Sequence, residues 1–121
     1  MAEGEALVSS DEIMFYLIDP KTGVVIEPAH ALEGQSMAGK ILIFPGGKGS
    51  SVVQADGLFQ LNKEGNLPKA MIIQYPETVL VSSAIIMDIP MVDKVDKEFY
   101  ETIKSGDRIR INADAGTIEI L

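Results

Sequence analysis

Short apolar runs, separated by polar stretches rich in glycine and proline, set the pattern of this chain. The run Ile41-Leu42-Ile43-Phe44 has the length and β-branched content of a buried strand. Similar runs predict strands over 6–8, 13–18, 24–26, 40–44, 70–74, 83–87, 108–112 and 117–121. After Ser51 the pattern changes: Val52-Val53-Gln54-Ala55-Asp56-Gly57-Leu58-Phe59-Gln60-Leu61 carries apolar residues at helical intervals. A second helix is predicted near 77–81, with Pro76 in its first turn. A short third one is predicted around 94–104, ended by Ser105-Gly106. Asp19-Pro20-Lys21-Thr22-Gly23 reads as a loop between strands and Asp114-Ala115-Gly116 as a hairpin turn. Many strands with a few helices between them predict a mixed or barrel-like sheet in one domain, residues 1–121, and not a doubly wound Rossmann sheet.

Composition narrows the function classes. The chain has 121 residues, 46% of them hydrophobic, enough for one domain with its own core. It has no cysteine, so no disulfide and no thiolate-held metal or iron–sulfur cluster can be built from this chain alone. That fits a cytoplasmic protein. A formal net charge of -8 argues against nucleic acid and anionic membrane as partners. No apolar run approaches the ~20 residues needed to cross a bilayer, and the acidic start Met1-Ala2-Glu3-Gly4-Glu5 has no signal-peptide pattern.

The chemistry concentrates in Phe44-Pro45-Gly46-Gly47-Lys48-Gly49-Ser50-Ser51, which stands between the strand and the helix. Glycines let a ligand approach the backbone, and a helix start offers free N–H groups and the positive end of the helix dipole. An anionic group suits that position, and a serine hydroxyl there can touch it. One of the two serines is also the expected helix N-cap. Familiar loops are excluded by spacing. In a Walker A loop the lysine follows the last glycine, whereas Lys48 precedes Gly49. The G-x-G-x-x-G and G-x-S-x-G spacings are absent. The single histidine, His30, lies in a loop-like segment with no spacing that ties it to Ser50, and reads as a solvated or capping residue. His30 and scattered carboxylates are too few for a metal site. Asp11-Glu12, Asp93 with Asp96, and Glu98 with Glu101 read as solvated faces, and Met71, Met87 and Met91 as core.

Several motifs together resemble the small subunit of the aconitase X family. They are Asp19-Pro20-x-Thr22-Gly23, His30, Gly34-Gln35-Ser36, Gly39-Lys40, the loop Pro45-Gly46-Gly47-Lys48-Gly49-Ser50-Ser51, Ala70-Met71-Ile72-Ile73, Ala84-Ile85-Ile86-x-x-Ile89-Pro90 and Gly106-Asp107. The resemblance covers nearly the whole chain, and the central loop is its most specific part. The chain differs in having Val52-Val53-Gln54-Ala55 where family members place another glycine. Members also begin with an extra strand before the segment matching residues 2–8, which bears on the edge of the sheet.

The resemblance implies a swivelling β/β/α domain similar to the C-terminal domain of aconitase. It implies one part of a two-subunit hydro-lyase that dehydrates (R)-5-phosphomevalonate to trans-anhydromevalonate 5-phosphate in the archaeal mevalonate pathway. In such enzymes a Gly-x-Gly-Ser-Ser loop presents a serine that removes a proton from the substrate, and Ser50 matches it. Gly47, Gly49 and Ser51 are then substrate-binding, with Ser51 as the expected cap. The iron–sulfur cluster belongs to a large partner subunit, and this chain alone is inactive. Three other readings stand beside this one: a relative acting on a hydroxyproline-like acid, a phosphocarrier using His30, and a plain anion-binding module.

Overall fold

We describe a computed structural model of the chain over residues 2–48, 51–93, 95, 97–112 and 117–121, with 51–53 described by their backbone. Six strands form one open mixed sheet: β1 (Ala2–Val8), β2 (Ile41–Phe44), β3 (Ala70–Ile73), β4 (Met91–Val92), β5 (Arg108–Asn112) and β6 (Thr117–Ile120). Their order across the sheet is β4-β3-β2-β1-β5-β6. β1 to β4 run parallel, while β5 is antiparallel to β1 and β6 to β5. The expected turn at 114–116 lies outside the described residues.

β2 and β3 are buried at every position, as central parallel strands are. Alternation then splits their side chains between two cores. Leu42, Phe44, Met71 and Ile73 face one side, with Leu7 from β1. Ile41, Ile43, Ala70 and Ile72 face the other, with Ala2 and Ala6. Parallel neighbours cannot be joined by a hairpin, and helices make two of the three crossovers. The helix α1 (Ser51–Lys63) links β2 to β3, and α2 (Thr78–Ile86) links β3 to β4. Both cover the first core, through Leu58 and Leu61 and through Leu80 and Ala84. The second core packs against Phe99 and Tyr100 of α3 (Lys97–Thr102) and against β5. β1 is longer than its expected 6–8 and paired on both sides, so the sheet has no open edge there.

Three expected strands are absent, two of them for a tertiary reason. Residues 83–87 belong to α2, where Leu80, Ser83 and Ala84 are buried and Ile85 and Ile86 face solvent at 74% and 81% exposure. The β-branched pair imitated a strand, but it lies in the crossover from β3 to its parallel neighbour β4, which here is a helix. Glu77 is the residue before α2, so Pro76 precedes the helix and is not in its first turn. Residues 13–18 form no strand either. Ile13 makes one bridge to Gly47, and Phe15–Leu17 is a single 3-10 turn. Phe15 is fully buried, edge-on to Phe44 at 5.9 Å, and its backbone lies directly against Gly57 of α1. The expected strand at 24–26 reduces to isolated bridges: Val24 to Ser36, and Val25 to Ile18 and to Glu33. The loop before it closes as expected, with Gly23 at φ 74° and its N–H donating to Asp19 O at 2.7 Å. β4 went unrecognised in the sequence because its two residues are too few for a period.

Candidate active site

The glycine loop leaves the C-terminal end of β2, the usual ligand-facing end of a parallel sheet. Its entry is fastened to the next strand: Gln74 N–H donates to Phe44 O at 3.1 Å, and Tyr75 N–H to Pro45 O at 2.8 Å. Its middle is fastened to the segment after β1. Ile13 N–H donates to Gly46 O at 2.9 Å and Lys48 N–H to Ile13 O at 3.0 Å. Gly47, between them, faces Gln54 of α1 and Leu80 of α2, both buried. A Cβ at Gly47 would lie 2.7 Å from Leu80 Cδ1 and closer still to Gln54 Oε1. Gly47 is therefore required by packing inside the domain, not by positive φ.

Gly49 and Ser50 lie outside the described residues. Ser51 is the first residue of α1, and its side chain, on which the expected cap rests, lies outside what is described. The α1 N-terminus thus begins one residue after Ser50, in the strand–loop–helix order that the sequence indicated.

His30 corrects an expectation. It is 7% exposed, not solvated. Its Nδ1 accepts the Leu32 N–H at 3.0 Å, which places the proton on Nε2, and Nε2 donates to Glu12 O at 2.8 Å. The capping part of the expectation holds, since the ring accepts a backbone N–H. Ala31 N–H adds a bond to Asp11 Oδ2 at 2.9 Å. His30 and its neighbour therefore stitch the 27–32 excursion onto residues 11–12, next to the Ile13 rung that carries the loop.

The excursion also reaches the loop directly. Lys48 Nζ donates to Glu27 Oε2 at 2.5 Å, with the glutamate side chain 16% exposed and the lysine side chain 35%. The other oxygen, Glu27 Oε1, is buried with no hydrogen-bond partner among the described residues. No sequence pattern points to this pair, because 21 positions separate its members and neither stands in a periodic arrangement.

On the other side of Pro45, a cavity of about 230 Å³ opens between the ends of β1, β2 and β3, lined by Ser9, Ser10, Pro45, Gln74 and Tyr100 among others. The Tyr100 hydroxyl is buried without a partner among the described residues. Its pKa is raised by burial, then by the nearby Asp93 and Tyr75. Among the described residues no three of His, Cys, Asp or Glu stand together as a metal site. No helix of the described residues is long and apolar enough to cross a membrane.

Comparison with known proteins agrees with this geometry. The aconitase X swivel domain family matches residues 1–120. The phosphomevalonate dehydratase small subunit of Methanosarcina acetivorans is 46% identical over 99% of this chain and 83% of its own. The protein of the same name from Archaeoglobus fulgidus is 46% identical over 99% of this chain and 90% of its own. The crystal structure of Thermococcus kodakaraensis aconitase X in its holo-form superimposes with a TM-score of 0.90 at 45% identity, covering 99% of this chain and 89% of that one.

Proposed function

The chain belongs to the aconitase X swivel domain family, and from that premise we propose that it is the small subunit of a two-subunit hydro-lyase that dehydrates (R)-5-phosphomevalonate to trans-anhydromevalonate 5-phosphate. The observation that carries this reading is the identity along nearly the whole chain to subunits named for that dehydratase. The fastened loop supports it. Pro45, Gly46 and Lys48 are held by backbone bonds to Tyr75, just after β3, and to Ile13, so the chain leaves Lys48 at a fixed place immediately before Gly49 and Ser50.

Dehydration removes a proton from one carbon and hydroxide from its neighbour. Ser50 takes the proton, and Gly47, Gly49 and Ser51 bring the backbone to the substrate. A serine alkoxide is costly near neutral pH. The α1 N-terminus, with its free N–H groups and positive dipole end, lowers that cost, and cations of the partner lower it further. An iron–sulfur cluster does not fit this chain, which has no cysteine and no metal-ligating group among its described residues. The cluster and its ligands belong to the large subunit, and the assembly is cytoplasmic.

Exposed apolar side chains support a covered face. Tyr75 is 68% exposed, and Ile85, at 74%, lines a groove with Pro76, Val81 and Ile89. The phosphocarrier reading is not favoured, because both ring nitrogens of His30 are engaged and the ring is buried. The relatives likewise do not favour a hydroxyproline-like substrate.

The test is anaerobic reconstitution with the large subunit. The isolated chain should show no turnover, and the mixture should dehydrate 5-phosphomevalonate but not a hydroxyproline-like acid. Ser50→Ala should remove nearly all turnover. Substantial turnover by the isolated chain overturns the shared site, and full activity in Ser50→Ala overturns the serine's role.

A further inference from the structure

The backbone bonds that fasten the loop end at Lys48, and the side chain of Lys48 continues the anchorage. Its ammonium meets Glu27 Oε2 at 2.5 Å. Glu27 belongs to an excursion that is itself fixed: Ile26 N–H donates to Leu17 O at 3.0 Å, His30 holds Glu12 O, and Ala31 N–H holds Asp11 Oδ2. Residues 11–13, 27–31 and 46–48 thus form one connected network around the stretch that leads into Gly49 and Ser50. The glutamate side chain is 16% exposed, so water competes little for its carboxylate. Lysine normally spreads over many rotamers, and this contact holds it to one side of the loop.

We propose that Glu27 is a positioning residue for the reaction: through the Lys48 ammonium it fixes the point from which Gly49 and Ser50 are delivered to the substrate. The proposal rests on the reading of Ser50 as the base. It assigns Glu27 no contact with substrate. A base displaced by about 1 Å loses on the order of 100-fold in rate, so loosening this anchor should act on the chemical step and not on substrate capture.

The test uses Glu27→Gln, Glu27→Asp, Lys48→Met and the double variant E27Q/K48M. Hydrogen exchange on the full chain reads the anchorage without any activity. Amides over 47–52 should exchange about tenfold faster in Glu27→Gln, with the β2 and β3 amides unchanged. In the reconstituted enzyme kcat should fall about 10- to 100-fold with KM within about threefold, and Glu27→Asp should recover part of both readouts. The two single losses should not multiply in the double variant, because both remove one contact. Unchanged loop exchange in Glu27→Gln overturns the proposal. So does faster exchange with kcat within twofold of the unaltered enzyme. Should a single variant fail to fold, E27Q/K48M removes both charges together and carries the same two readouts. Absence of turnover in the unaltered reconstituted enzyme overturns the proposed function instead, and the exchange measurement still decides whether Glu27 holds the loop.

Discussion

Gly57→Ala sets two effects of opposite sign against each other. Gly57 sits inside α1, where alanine is favoured over glycine by about 0.8–1.0 kcal/mol. On propensity alone the variant should be more stable. The structure says the reverse. A Cβ at Gly57 would lie 2.6 Å from Tyr16 N and 2.7 Å from Phe15 O, and closer still to Phe15 C. These are backbone atoms, so no rotamer change relieves the overlap. The 3-10 turn would have to retreat by several tenths of an ångström, and it carries the fully buried Phe15 against Phe44. Overpacking of this kind costs about 1–3 kcal/mol, occasionally more. The net expectation is a loss of about 0–2 kcal/mol, centred near 1, or about 4 °C of melting temperature for a chain of this size. Thermal unfolding of the isolated chain by circular dichroism checks it. A rise of about 4 °C, the full helix-propensity gain, would show that the turn does not press on α1 and would refute the packing described for residues 13–18.

Gly47→Ala should destabilise the chain by about 1 kcal/mol, the low end of overpacking, because it meets the side-chain ends of Gln54 and Leu80 and not backbone, and should also slow the reconstituted enzyme; an unchanged melt would show that the loop has room there. His30→Ala should cost about 1–3 kcal/mol, measured by denaturant unfolding, because it orphans the buried Leu32 N–H and Glu12 O. A kcat loss in that variant without a stability loss would bring back a chemical role for the ring. Tyr100→Phe removes a hydroxyl with no partner among the described residues, so the melting temperature at pH 7 should hold or rise. The folded-state pKa of Tyr100 is raised above 10.0, so its contribution is fully present below pH 10.0 and lost as pH climbs through the folded value; the alkaline loss of stability should be smaller in Tyr100→Phe.

Local pattern was enough for the centre of this fold. β2, β3, β5 and β6, and the order strand, glycine loop, helix, are each carried by residues adjacent in sequence. The segments that misled are those whose conformation is decided by distant neighbours. Ile85 and Ile86 have strand propensity, yet the parallel pairing of β3 with β4 places a helix between them. Phe15 belongs to an apolar run that reads as a strand, yet Gly57, more than forty positions away, gives its backbone a seat only a turn can occupy. The site divides in the same way. Gly47 was legible as a glycine that must stay small, and the protein's own Gln54 and Leu80 crowd it. Glu27 was not legible, since an isolated carboxylate before a proline carries no pattern until the loop is folded against it.

Electrostatics explains why this half of the site should be unable to work alone. A phosphorylated carboxylic acid needs cations to hold both ends. The chain has 10 basic residues against 18 acidic ones. The lysine of the central loop is already engaged with Glu27, and Lys40 lies near Glu5 at 3.9 Å. In the proposed site the glycine loop and the start of α1 face the anion with backbone dipoles, which are short-ranged beside a net charge of -8. Neutralising Lys48 has a positive use in this arrangement. A free ammonium one residue before Gly49 would compete for the substrate's phosphate and carboxylate and draw them toward the loop in several ways. In the proposed mechanism, tying Lys48 to Glu27 leaves orientation to cations of the partner and leaves the loop one task, to present Ser50 at a fixed point.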